Sequence, residues 1–152
     1  MRARAYLGKL NKLESLIENK RAEIERWEAV ALDCSVHMDG ERVQSSGNKQ
    51  KMANAVDTYL DLRLGLDEAI RAAELERQEI IHTIEQLPAN QYNVLFQIYV
   101  RGLQLKQVEM DMGRSHTWVC TTHRKALVSL QKIMDQKEKD NAGQSVQEMR
   151  ST

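Results

Sequence analysis

Three constellations in this chain have residue types that could do chemistry. The first is a pair of cysteine–histidine steps, Cys34-Ser-Val-His37 and Cys120-Thr-Thr-His123. Thiolate sulfur and imidazole nitrogen suit a tetrahedral zinc, and four such ligands close a structural site. These two pairs lie far apart, on segments of different patterning, and Cys34 falls in an apolar seam. The spacing reads as coincidence, and no metal is expected. The second is Gly40 to Lys49, GERVQSSGNK, which resembles a phosphate loop in composition. A Walker loop needs four residues between its glycines and then Gly-Lys-Ser/Thr, after a buried strand. Here six residues separate Gly40 from Gly47, the run ends Gly-Asn-Lys, and a helical pattern precedes it. A capped turn or a docking loop fits better, and no nucleotide or other cofactor is expected.

The third constellation runs from Gly102 to Leu130 and carries more. Leu105, Val108 and Met112 recur at steps of three and four, which places them on one face of a helix. Gly113 supplies the left-handed conformation that ends a helix cheaply. Ser115 is placed to cap the helix that follows, its hydroxyl accepting a backbone N–H two or three residues on. That helix should bury Val119, Ala126, Leu127 and Leu130. Its opposite face offers His116, Thr117, Cys120, Thr121, Arg124 and Lys125. A short helix, a sharp turn and a helix with a donor-rich face are what reading the major groove requires. An ordinary helical hairpin is the plain alternative.

Charge favours the groove reader. The chain carries 22 Lys/Arg and 22 Asp/Glu, a net of zero, but the balance is uneven. Residues 1–88 are net −3, residues 89–133 net +4 and residues 134–152 net −1. The positive charge therefore sits on the stretch that would meet phosphates. Its excess is small, which predicts weak binding by one copy alone.

The elements that must position these residues are helices. One proline, seven glycines and 5% aromatic residues leave little for sheet, and no alternating strand pattern is visible. Residues 1–87 predict a long antiparallel helical hairpin of coiled-coil type, with a loop at 37–49. Its first arm has a seam at Ala3, Tyr6, Leu10, Leu13, Ile17, Lys20, Ile24, Trp27, Ala31 and Cys34. The second arm places Met52, Val56, Tyr59, Leu66, Ile70, Ala73, Ile80, Ile84 and Leu87 at similar steps, with Arg63 and Arg77 on the same stripe. Pro88 marks a boundary and suits the first turn of a new helix, which carries Tyr92, Val94, Leu95, Ile98 and Tyr99. Residues 88–133 then form the helix-turn-helix domain, and the polar segment 134–152 predicts a fraying end and a disordered tail. Trp118 is expected to pack against the supporting helix, or else to stack at the DNA surface or on a partner.

No apolar run approaches the roughly twenty residues that span a bilayer. The run MRARAYLGKLNKLE lacks the apolar core of a secretory signal, and two cysteines make no disulfide framework, so a cytoplasmic setting is expected. Carboxylates are scattered over helix faces and no Ser, His and Asp cluster sits in a nucleophile's context, so no enzyme is expected.

With these residues in place, the C-terminal third resembles sigma-factor region four. The resemblance rests on Leu87-Pro88, a helix ending Tyr99-Val100-Arg101-Gly102, then Leu103, Leu105 and Val108, then Met112-Gly113 and Ser115, then Val119, Arg124-Lys125-Ala126-Leu127 and Leu130. Over about residues 3–133 the chain is similar to phage and prophage proteins of Gram-positive bacteria, akin to the RinA and ArpU types of late-gene transcription regulator. In that family a helical N-terminal part with a GERVQSS-like loop, here Gly40 to Ser46, precedes a sigma-like helix-turn-helix. The resemblance implies a sequence-specific DNA-binding regulator in a bacterial host cell. It implies that His116, Thr117, Cys120 and Thr121 face DNA, with Arg124 and Lys125 nearer the phosphates. Glu109 departs from it, standing where the helices cross and a small residue is usual; Asp111 and Thr122 also replace apolar residues.

The sequence thus predicts an all-α protein that binds double-stranded DNA without catalysis. Thr117 and Thr121 would contact base edges, and Lys106, Arg114, Arg124 and Lys125 would hold phosphates. Weak binding by one copy calls for a homodimer through the hairpin, or for docking on RNA polymerase. Two rivals stay open. One is a protein-interaction scaffold without DNA contact, favoured by Glu109, Asp111 and the acidic hairpin; the other is a packaging factor like a small terminase subunit.

Overall fold

A computed structural model describes residues 2–37 and 46–151, the side chains of 34–37, 46–49, 51, 52 and 55 excepted. The protein is all-α, and no strand occurs among the described residues. Helix α1 spans Ala3–His37 and α2 spans Ser46–Glu85. Helix α3, Ala89–Leu95, runs on into a π-helical turn at Phe96–Val100; α4 is Leu105–Met112 and α5 is His116–Arg150. None of these helices is long and apolar enough to cross a membrane. The loop expected at 37–49 is overlapped by helix at both ends, because His37 closes α1 and residues 46–49 open α2. Its residues 38–45, with most of the GERVQSS run, lie outside the described residues, as do the side chains of Cys34 and His37.

The chain divides into two compact units. One joins residues 1–12 to residues 77–152, and the other is residues 13–76. The division therefore falls within α1 and α2, whereas composition places it at Pro88. Hydrogen bonds within the first unit give the reason. The Ala3 N–H donates to Gln131 Oε1 on α5 at 2.7 Å, and Lys137 of α5 donates to Thr83 Oγ1 on α2 at 2.9 Å. Tyr6 of α1 donates to the same hydroxyl at 3.2 Å, and Thr83 passes its own proton to the Glu79 carbonyl at 2.8 Å. A buried hydroxyl with partners on three helices fixes those helices together.

In the same unit Leu7, Leu10, Ile80, Ile84, Leu87, Val94 and Leu95 are buried, as are Val108, Val119, Ala126, Leu130 and Met134. Each large aliphatic side chain removed from water in this way stabilises the fold by about 1.5–3 kcal/mol. Leu7 is fully buried although the α1 seam omits it, because that seam gives one residue per turn and a helix against several neighbours buries a wider stripe. Leu127 is only half-buried, against expectation.

In the unit of residues 13–76, α1 and α2 run antiparallel. Arg21 meets Glu74 at 2.9 Å and Arg63 meets Glu28 at 2.5 Å, so positions rise on one helix as they fall on the other. Leu13, Ile17, Leu66 and Ala73 are buried there. Arg63 stays on the surface, where Glu28, Tyr59 and Asp67 surround its guanidinium.

The segment after Met134 is helix to Arg150, not a disordered tail. Its residues are exposed from 135 to 151, so apolar packing does not hold it, although the Lys137 bond to Thr83 ties its first turn. Good helix formers and the i,i+4 pairs Gln131–Asp135 and Gln136–Asp140 favour the helical state instead.

Candidate functional site

The site is built where α4 turns into α5. Pro88, at φ −54 and ψ 147, opens α3, whose Val94 and Leu95 are buried beneath the later helices. Gly102 reverses the chain at φ 67, and Gln107 accepts from the Gln104 N–H at 3.0 Å to start α4. Gly113 stops α4 in the left-handed conformation, φ 60 and ψ 37. The Gly113 N–H donates to the Met110 carbonyl and that of Arg114 to the Glu109 carbonyl, the back-bonding that satisfies a helix end. Ser115 Oγ accepts from the Trp118 N–H at 3.2 Å and so caps α5. The turn and the cap stand where the sequence places them.

Val94, Val108 and Val119, all fully buried, hold α3, α4 and α5 together, with Ile98, Leu103, Met112 and Trp118 packed against them. Trp118 therefore belongs to the support, and Arg114 lies 4.8 Å over its ring as a cation–π pair. Leu105 is 40% exposed at the first position of α4, outside the face it was expected to join. Thr122 is buried, so the polar residue at this normally apolar position is tolerated inside.

With this support in place, the first turns of α5 present a polar stripe. Thr117, Thr121, Arg124 and Lys125 are exposed along it, and Lys106 and Arg114 are exposed beside it. Among the described residues, no hydrogen bond or ion pair takes up Lys106, Thr117, Thr121, Arg124 or Lys125. The two acidic residues of the region are otherwise engaged. Asp111 pairs with Arg101 at 3.5 Å, and Glu109 faces the His116 ring at 2.5 Å. The carboxylate at the helix crossing is thus accommodated by turning onto the neighbouring helix.

His116 and Cys120 lie on the stripe but not alone. Cys120 Sγ is 3.5 Å from His116 Nε2, while His116 Nδ1 faces Glu109. The structure adds this chain of three to what the sequence offers. The i,i+4 spacing of His116 and Cys120 could have revealed half of it; Glu109 lies across the turn, where no helical period applies.

Cys120 and His123 do not act as a pair. His123 stacks against Tyr99 with centroids 5.9 Å apart and bonds the Tyr99 hydroxyl at 3.1 Å. Burial, aided by the nearby Arg4 charge, holds its imidazole below the usual histidine range. Among the described residues no three His, Cys, Asp or Glu side chains gather as a metal site. Glu109, His116 and Cys120 are strung in a line with the ring in the middle, so their donors do not converge on a point.

No protein-family model, curated protein or solved structure matches this chain.

Proposed function

We propose that this protein is a sequence-specific, non-catalytic DNA-binding regulator of transcription, with α5 entering the major groove of double-stranded DNA. The observation that carries the reading is the stripe on α5. Its cations and hydroxyls are exposed and, among the described residues, unengaged, while Glu109 and Asp111 beside it are taken up by His116 and Arg101. Thr117 and Thr121 are one turn apart and reach base edges; Lys106, Arg114, Arg124 and Lys125 neutralise phosphates on either side. The rigid cluster of Val94, Val108 and Val119 holds both helices in register for that docking.

In this reading the protein acts in the cytoplasm of a bacterial host, as the resemblance to phage late-gene regulators implies. One module with so small a positive excess binds weakly, and a second contact through a homodimer or RNA polymerase supplies the remaining affinity. The test is a mobility shift with fragments of the encoding genome at low salt. A fragment retained in preference to random DNA is expected. Lys125→Ala should weaken binding evenly across sequences and reduce the salt slope by about one. No preference over random DNA, with Lys125→Ala leaving binding and slope unchanged, would overturn the reading.

A further inference from the structure

Glu109, His116 and Cys120 make an arrangement that neither helix packing nor base contact requires. A carboxylate can only accept, so the proton on the neutral His116 ring sits at Nδ1, toward Glu109. Nε2 then presents its lone pair to the Cys120 thiol, 3.5 Å away. Glu109 is 20% exposed and anchors the ring from α4, while Cys120 is half-buried. A nucleophile, a base within reach of its proton and a third group orienting the base recur wherever thiols are activated. Val119 packs the adjacent position into the core, so the thiol is held by a rigid turn of α5.

We propose that Cys120 is a modifiable thiol that reacts with low-molecular-weight disulfides and thereby closes the recognition face. Its sulfur attacks one sulfur of the disulfide, forming a mixed disulfide as the original S–S bond breaks. The thiol proton passes to His116 Nε2 and from there to the departing thiolate, which leaves as a thiol. Cys120 is oxidised, and the departing half of the reagent is reduced. His116 is the base, and Glu109 is a positioning residue that acts through it. The added group lies between Thr117 and Thr121 on one side and Arg124, one turn on, on the other. An anionic adduct such as glutathione covers that stripe and repels phosphate. The chemistry stands apart from the DNA-binding reading; only its consequence rests on that reading.

The experiment treats the full chain with oxidised glutathione and follows Cys120 by peptide mass spectrometry, which separates it from Cys34. In the folded protein, modification of Cys120 should be about tenfold slower in His116→Ala, with Glu109→Gln in between. In urea all three should react alike. The pH–rate profile of the native protein should carry a limb that His116→Ala lacks. Equal rates in the folded native protein and His116→Ala, or superimposable profiles, would overturn the proposal. In a second arm, the glutathione adduct should lose at least about tenfold in affinity for double-stranded DNA, and a thiol reductant should restore it. An adduct that binds DNA as well as the free thiol would overturn the closure. Rates as expected in a protein that binds no DNA even unmodified would support the thiol chemistry and remove the DNA-binding reading instead.

Discussion

The cluster beneath α4 and α5 and the paired stretch of residues 13–76 draw on the same aliphatic residue types and use them differently. Val94, Val108 and Val119 are wholly enclosed, as are Ala126 and Leu130 on the same helix face. On residues 13–76, Leu32 is 66% exposed, Leu64 64% and Leu75 57%. An apolar groove there, lined by Ala31, Leu32, Val56, Tyr59 and Leu60, lies open. Two helices can bury one stripe each and no more, whereas several helices enclose a core on all sides. Precise placement of side chains therefore belongs to the α3–α5 region, and that is where the polar stripe is mounted.

The sharpest way to break this contrast is to empty the enclosed core. Leu130→Ala removes a fully buried side chain from α5 and should destabilise the protein by about 2–5 kcal/mol, read as a fall in the urea midpoint at unchanged slope. A loss below that range would mean that the C-terminal helices collapse around the gap and are less rigid than their burial implies.

The next effect is local to the turn. Gly113 has φ 60, and an added Cβ would meet nothing within 4 Å, so any cost is backbone strain alone. Gly113→Ala should cost about 1–2 kcal/mol, the usual price of left-handed backbone in an L-residue. Gly113→Asn should cost less, since asparagine tolerates that conformation. Equal midpoints for all three would show that the turn relaxes out of the left-handed region.

Much of this region was legible beforehand because its signals are local. A glycine, a serine two residues later and apolar residues at three-and-four spacing specify a turn, a cap and two faces without reference to the rest of the chain. What was not legible depends on contacts distant in sequence. Thr83 gathers Tyr6 and Lys137 across 77 and 54 positions, and no period in the sequence announces that. The same contacts moved the boundary between units away from Pro88. Exposure along residues 13–76 was hidden for the opposite reason. An apolar stripe looks the same in sequence whether or not something covers it. The polar segment after Met134 reads as a tail because composition reports a lack of packing, while helix formation there depends on propensity and i,i+4 pairs.

A smaller effect comes from pH. The His123 imidazole is held neutral by burial, with Arg4 adding to it, so its folded value lies below the unfolded 6.5. The unfolded chain therefore takes up the proton first. The contribution to stability is full above the unfolded value and declines as pH falls through it, until the folded ring protonates too. The urea midpoint should drop between about pH 8 and about pH 5, and that part of the drop should vanish in His123→Gln. A histidine-dependent rise on acidification would contradict the burial seen against Tyr99.

The smallest expected effect addresses the open side of the comparison. Leu64 lies on α2 among the exposed apolar residues, and in a single chain its side chain gives up little on replacement. Leu64→Lys should change stability by less than about 0.5 kcal/mol at low protein concentration, as surface substitutions generally do. The informative measurement is the same comparison across a range of protein concentrations. A native midpoint that rises with concentration, and a Leu64→Lys midpoint that does not, would mean that a second copy covers this surface. The contrast between the two regions would then belong to the monomer alone, and the exposed leucines would be one half of an interface.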